Sequence, residues 1–331
     1  MMNSLIDNDL VYKDNEAPAL LLEEDYRDFK GHDFEILGNM LTGLPQANIK
    51  NIIIKSMSPQ ALTGMSEYIL SKISAGIVWR ITYEDLLKIY EERRELPSCV
   101  KLVLRIEENM TNECLNSVDF LNTLCEKINE INRTYYKISA MIINLNTNHL
   151  VHVEELLLNV YNRTQITLTL NPVLDANNGL HITWAQLDHL YRISIEINNN
   201  YENRTAVLME LGILPARLLN EHPCNGYVCF KHTCHSSKGD VPRRLAIMRN
   251  GKVYPERKQA DPNLLIGDLA ENTLENMLIS YKDSESHELF KQISKAVHIK
   301  WVQTSPFRVV PWGHLFSEEA KYADRTTEAS V

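Results

Sequence analysis

The chain is short of the features that most directly announce a function. It has twelve glycines in 331 residues, no two closer than five positions. The glycine-rich phosphate loops G-x-G-x-x-G and G-x-x-x-x-G-K-[ST] do not occur. No G-x-S-x-G, H-E-x-x-H or C-x-x-C occurs either, which removes the usual sequence signs of a serine hydrolase, a zincin or a thioredoxin-like thiol pair. Apolar runs are short, such as Ile52-Ile53-Ile54 and Ala19 to Leu22, so no membrane span is expected. The opening MMNSLIDNDL lacks the basic and apolar regions of a secretory signal. Six cysteines are too few for a disulfide scaffold, and a cytoplasmic, reducing location is the expectation. Lys and Arg number 34 against 43 Asp and Glu, a formal net charge of −9 that is spread rather than blocked. That balance predicts no nucleic-acid surface, which needs clustered basic residues.

The remainder is ordinary globular protein: 44% hydrophobic and 23% charged. Residues 1–30 are rich in Asp, Glu and Asn and read as an arm carrying at most one strand, at Pro18 to Leu22. From Asp33 helix and strand patterns alternate. Phe34, Ile36, Leu37 and Leu41 suit a helix ending near Pro45. IKNIIIKS, IVWRIT, CVKLVLRIE, KISAMIINL and QITLTLNPV read as five strands. Between them fall helices opened by Ser58-Pro59, capped by Thr82, running from Asn112 to Asn132, and from Val153 to Tyr161. Another spans Ile182 to Asn198 with Thr183 as its cap. Gly212, Pro215 and Pro223 close the last helical region. Strand–helix alternation implies parallel βαβ units, in an open doubly wound sheet or a full or partial barrel. A partial barrel is favoured, because the strands look buried on both faces and no glycine-rich switch point exists. Its expected core includes Ile53, Val78, Leu102, Val103, Ile142 and Leu168.

Chemistry-bearing residues fall in two groups. Glu221 to Glu256 holds Cys224, Cys229 and Cys234 at C-x4-C-x4-C spacing, with His222, His232 and His235 interleaved. Thiolates and imidazoles at this density suit zinc or an iron–sulfur cluster, with one of the histidines as a fourth ligand, although the spacing matches no common zinc finger. The bland reading is a Cys-rich loop without metal. The other group sits at strand ends: Arg80, Arg105, Glu107, Asn144 and Asn171. Arg105-x-Glu107 is the best catalytic candidate among them, because both side chains leave one strand on the same side. Each of the five also reads as a solvated strand terminus or a salt bridge. Cys99, Cys114 and Cys125 read as core packing. The aromatic tail, with Trp301, Phe307, Trp312 and Phe316, reads as packing onto the body.

Past the strand RRLAIM and the turn at Arg249-Asn250-Gly251, GKVYPE followed by LLIGDLAENTLENML resembles the SPASM or twitch extension of radical S-adenosylmethionine (radical-SAM) proteins. The upstream order resembles that family's partial (β/α)6 barrel. The resemblance implies an α/β fold: a partial (β/α) barrel of radical-SAM type with a small Cys-rich C-terminal extension. It divides the chain into a divergent arm at 1–32, the barrel at 33–215, the SPASM/twitch-like segment with hairpin and helix at 216–290, and a tail at 291–331. The family's C-x3-C-x2-C is absent, and Ala17 to Gly31, where its first strand and cysteine loop would fall, contains no cysteine. Glu256 stands where the family's hairpin has a cysteine. Met57-Ser58-Pro59 keeps only the proline of the family's G-G-E-P.

The resemblance thus implies a degenerate relative without the catalytic cluster motif. Its expected role is a non-catalytic accessory or peptide-binding partner in peptide or natural-product maturation, working with a catalytic radical-SAM relative or a peptide precursor. S-adenosylmethionine is not expected as its cofactor. Alternatives are a metal- or iron–sulfur-dependent enzyme using Cys224, Cys229 and Cys234, and a metal-free structural or interaction module. If the three cysteines share one metal, Cys229→Ala lowers metal content and melting temperature together, since structural metal binding contributes directly to folding. Zinc, iron and sulfide analysis of anaerobically prepared wild type and variant, with thermal melts on the same samples, checks this.

Overall fold

The computed structural model describes residues 19–26, 28, 51–70, 76–172, 182–201, 205–210, 213–215, 244–255, 261–297, 299–300, 304, 309–311 and 315. The expected helix at Asp33, the residues Cys224, Cys229, Cys234, His222, His232 and His235, and the tail aromatics Trp301, Phe307, Trp312 and Phe316 lie outside the described residues.

In chain order the elements are β1 (Ala19–Tyr26), β2 (Asn51–Met57), α1 (Pro59–Leu70), β3 (Gly76–Thr82), α2 (Tyr83–Glu91) and β4 (Val100–Ile106). Then come α3 (Glu108–Asn116), α4 (Val118–Asn132), β5 (Ile138–Leu145), a 3-10 turn (Thr147–His152), α5 (Val153–Thr164), β6 (Thr167–Pro172), α6 (Trp184–Asn200) and β7 (Val207–Met209). The last are β8 (Ile213–Pro215), β9 (Arg244–Ile247), β10 (Lys252–Pro255), a 3-10 turn (Pro262–Leu264), β11 (Gly267–Asp268), α7 (Leu274–Tyr281), α8 (Glu285–Val297) and β12 (Val309–Pro311). No helix among the described residues is long and apolar enough to cross a membrane.

The chain forms two compact units, and it passes from the first to the second within β3. In the first unit the strand order is β11-β10-β9-β1-β2. β1 pairs parallel with β2 on one side and with β9 on the other. The β9–β10 hairpin is antiparallel and turns at Gly251, whose φ of 84° is the left-handed conformation that glycine adopts freely. The buried Tyr26 hydroxyl donates to the Ile247 carbonyl at 3.0 Å, tying β1 to β9. Gly267 in β11 lies so close to α7 that a Cβ there would stand 2.3 Å from Met277 Sδ.

The second unit carries the strand order β3-β4-β5-β6-β7, with β4 to β7 paired in parallel. Its helices start where their caps dictate: Thr82 accepts from the Asp85 amide, and Thr183 forms a capping box with Gln186. The expected single helix over Asn112 to Asn132 is two. Ser117 leaves helical geometry at φ −142° and its hydroxyl accepts from the Phe120 amide, so it starts a new helix at Val118. The stretch before Gly212 is also not helical. Asn198, in the last turn of α6, accepts from the amides of Ala206 and Val207 at 2.8 Å each and donates to the Val207 carbonyl at 2.7 Å. One side chain thereby satisfies the start of β7 and delivers it to the edge of β6.

β3, β4 and β6 are not buried on both faces, whereas β5 is buried throughout from Met141 to Leu145. Residues 77, 79 and 81 of β3, 102, 104 and 106 of β4, and 168 and 170 of β6 are buried, while their alternating neighbours are half-exposed. Leu102, Ile142 and Leu168 belong to the core as expected; Ile53, Val78 and Val103 point to the half-exposed side. The period of two separates a helix-covered face from a second face. On the covered face Ile106, Met141 and Ile143 pack with Cys114, Leu124, Cys125, Ile128, Leu156 and Val160 of α3, α4 and α5. Burial pushes the Cys114 thiol up to about 12 and that of Cys125 to about 11, so both stay protonated packing residues. Leu168→Ala should therefore cost about 2–5 kcal/mol, and Val103→Ala about 1 kcal/mol or less. Urea unfolding of both variants measures the difference.

Candidate functional site

The half-exposed face of the second unit ends in one row of polar side chains. Parallel pairing sets Ile106 against Ile143, Asn144 against Asn171, and Leu170 against Met209. The next residue on each strand completes the level: Glu107, Asn144, Asn171 and Glu210. The Glu210 amide donates to the Leu170 carbonyl at 2.8 Å, holding it in that register past the end of β7. All four lie at the carboxyl ends of parallel strands, where α/β folds place their ligands.

The row is bonded side chain to side chain. Arg105 Nη2 lies 2.7 Å from Glu107 Oε1. Asn144 Nδ2 donates to Glu107 Oε2 at 2.7 Å, and Asn171 Nδ2 donates to Asn144 Oδ1 at 2.7 Å. At the other end Arg80 Nη2 donates to Glu210 Oε1 at 3.2 Å. The sequence Arg–Glu–Asn–Asn–Glu–Arg has two cations and two carboxylates, with Arg105 on Glu107 and Arg80 on Glu210. Asn144 is buried, while Arg105 and Glu107 keep side-chain exposures of 20% and 34%. The row thus has a solid anchor and an accessible surface.

The Arg80–Glu210 pair also fixes the shape of this unit. Four strand spacings separate β3 from β7, about 19 Å in a flat sheet at ~4.8 Å per strand. That is farther than one arginine and one glutamate can bridge. The sheet therefore curls, and the polar row lies on its concave side.

Behind the row, backbone and side-chain bonds hold the loops. Thr111 Oγ1 donates to the carbonyls of Glu107 and Asn144. Asn146 Nδ2 donates to Glu108 Oε2 at 2.8 Å. His149 is fully buried and takes the place of Glu or Gln in a capping box: its Nδ1 accepts from the Asn146 amide at 3.0 Å. Nε2 must then carry the proton, and it donates to Asn112 Oδ1 at 2.8 Å.

All five expected strand-end residues, Arg80, Arg105, Glu107, Asn144 and Asn171, come together here. Glu210 is not among the residues the sequence singles out. Its signal is present, since it is the only charged residue between Ala206 and Pro215, and a lone carboxylate in an apolar strand needs a partner. No group of three or more His, Cys, Asp or Glu suited to a metal occurs among the described residues.

No protein-family model matches the sequence, and no curated protein does. Solved structures do. Native anSMEcpe with bound AdoMet aligns with a TM-score of 0.53 and 12% identity over 93% of this chain and 97% of that one. A histidine-tagged anSMEcpe with bound AdoMet gives 0.52 and 12% over 94% of each. Native anSMEcpe with bound AdoMet and Kp18Cys peptide gives 0.50 and 11% over 93% and 98%. The chain shares the fold of anSMEcpe. At such identities the likeness concerns the fold alone, and the polar row still has to be read from its own chemistry.

That chemistry has one pH-sensitive support. Burial pulls the pKa of His149 below the usual 6.5, outweighing the opposing pull of Glu108. The folded state therefore binds fewer protons than the unfolded state in this range. The stabilisation is complete above the unfolded value and is lost as pH falls from there through the folded value. His149→Gln keeps an N3 acceptor and donor but cannot titrate. Its stability should be flatter than wild type between about pH 6.5 and 5, as read by denaturant midpoints at each pH.

Proposed function

We propose that the chain is a peptide-binding, radical-SAM-like protein that does not itself start radical chemistry, an accessory in peptide or natural-product maturation. The observation that carries this reading is the charge-compensated row Arg105–Glu107–Asn144–Asn171 with Arg80–Glu210. Polar groups of both hydrogen-bonding types line a concave, half-exposed face, as an uncharged polar polymer requires. A neutralised row offers little to a phosphate or another strong anion. The fold-level likeness to anSMEcpe with bound AdoMet and Kp18Cys peptide is consistent with a peptide at such a face.

The reading includes a partial barrel, to which the curl of the second unit's sheet lends support, and a SPASM/twitch-like segment over 216–290. The hairpin β9–β10, the short β11 and the close approach of Gly267 to α7 support the second. Reductive cleavage of S-adenosylmethionine needs a cluster with one open iron, held by closely spaced thiolates. The sequence supplies such spacing only at Cys224, Cys229 and Cys234, in the appended segment. That cysteine density also favours a second reading, in which the segment binds zinc or an iron–sulfur cluster and the protein is a metal-dependent enzyme.

The deciding experiment has two arms. After anaerobic iron–sulfur reconstitution, dithionite and S-adenosylmethionine should yield no more 5′-deoxyadenosine than with Cys224→Ala, Cys229→Ala, Cys234→Ala. Panning a dodecapeptide display library on the full chain should enrich binders that Glu107→Ala loses. Deoxyadenosine above the control would restore the enzymatic reading, and failure to enrich any peptide would remove the peptide-binding one.

A further inference from the structure

The turn between α7 and α8, in the first unit, gathers buried polar atoms that no protein group satisfies. α7 ends at Tyr281 and α8 starts at Glu285. Ser284 fixes the turn: its Oγ donates to the Tyr281 carbonyl at 2.7 Å and accepts from the His287 amide at 3.1 Å. The His287 ring is thereby set against the Tyr281 ring, with centroids 4.9 Å apart and planes tilted by 47°. Both residues are 1% exposed. The Tyr281 hydroxyl, the Ser286 hydroxyl and His287 Nε2 are shut off from solvent and have no hydrogen-bond partner among the described residues. Ser286 stands near enough to the Tyr281 phenol to oppose the upward pull of burial on its pKa, but the two oxygens do not meet at bonding geometry. Tyr281 is thus the common neighbour of the other two.

Hydrogen-bond chemistry defines what completes the set. His287 Nδ1 lies 2.8 Å from the Lys282 carbonyl. A carbonyl oxygen only accepts, so Nδ1 carries the proton and Nε2 of the neutral ring is an acceptor. Whatever meets Nε2 must therefore donate. The two hydroxyls can each give one proton and can also accept. Burying any of these atoms without a bond costs folding free energy, and native proteins rarely leave them bare.

We propose that this turn is a binding site for one internal water molecule, held by His287 Nε2, the Tyr281 hydroxyl and the Ser286 hydroxyl. Water donates to Nε2 and accepts from the hydroxyls, and about three such bonds are the usual complement of a buried water. A bridging water also joins groups that stand close without bonding each other directly, as Tyr281 and Ser286 do. An anion is excluded by the lone pair on Nε2. A cation finds no carboxylate among the three atoms, so its charge would be buried uncompensated. The water links the last residue of α7 to the first turn of α8 beyond what the Ser284 cap achieves. α7 in turn packs on β11, where a Cβ at Gly267 would meet Met277. The site thus joins α8 to the helix behind the β9–β10–β11 end of the first sheet. It stands apart from the peptide-binding reading, which concerns the second unit.

A crystal structure of the full chain tests the proposal directly, with difference density calculated before any solvent is placed. A single peak should stand about 2.6–3.1 Å from His287 Nε2 and from at least one of the two hydroxyl oxygens. No peak there overturns the proposal. Tyr281 Oη or Ser286 Oγ within that distance of Nε2 also overturns it, because protein then serves the acceptor. So does an anomalous signal at the peak, which marks a metal ion. Oxygen-17 relaxation dispersion in solution gives an independent reading. Tyr281→Phe with Ser286→Ala removes both hydroxyls and leaves the water only Nε2. Wild type should show about one long-lived water more than this double variant, and equal numbers overturn the proposal. The crystal readout needs no variant, so it decides the matter even where the double variant does not fold.

Discussion

A carboxylate has no proton to give, and the organisation of the polar row follows from that fact at Glu107. Arg105 pairs with it at 2.7 Å. Once its acceptor role is fixed, the two asparagines beyond it have one satisfactory orientation each. An amide alone could be turned either way at small cost; an amide against a charged acceptor cannot. The backbone makes this possible by holding β4 to β7 in parallel register, so that side chains from residues 107, 144, 171 and 210 reach the same level. The row is a property of pairing rather than of any local motif.

Pairing also explains what was readable beforehand. Local signals placed β2, β3, β4, β5 and β6, the caps at Thr82 and Thr183, the hairpin at Gly251 and the helix at α7, because β-branched runs, cap residues and turn residues act within a few positions. Ser117 was legible in principle as a cap but was hidden by an apolar period that continues across it, from Cys114 to Leu121. The facing of the strands was not legible. IVWRIT and VKLVLRI look apolar throughout, yet alternate residues meet helices on one side and a curled polar face on the other. Arg80 and Thr82 in β3, and Lys101 and Arg105 in β4, were the traces of that second face, with Val78 and Val103 between them.

The candidate site divides in the same way. Arg105 and Glu107 could be paired from spacing, since i and i+2 share a strand face. Asn144 and Asn171 could be placed at strand ends but not joined to Glu107, because register across two βαβ crossovers is set by packing of whole helices. Glu210 was lost because the stretch after Tyr201 carries almost no strand signal of its own. It becomes a strand only when Asn198 and the edge of β6 satisfy its backbone. A three-residue strand has little intrinsic preference, so tertiary hydrogen bonds decide it.

Every named side chain of the row comes from between Arg80 and Glu210, inside one compact unit with its own strands, caps and helix-covered core. In a parallel sheet each strand end carries its residues independently of the loops of the others, because the ladder and the helices behind it, not the loops, fix position. The stretch from Ala17 to Gly31 can therefore lack cysteine without disturbing the geometry at β4 to β7. The buried Asn144 and the capped His149 turn hold the row in place from behind, so its geometry is set by the sheet and its helices.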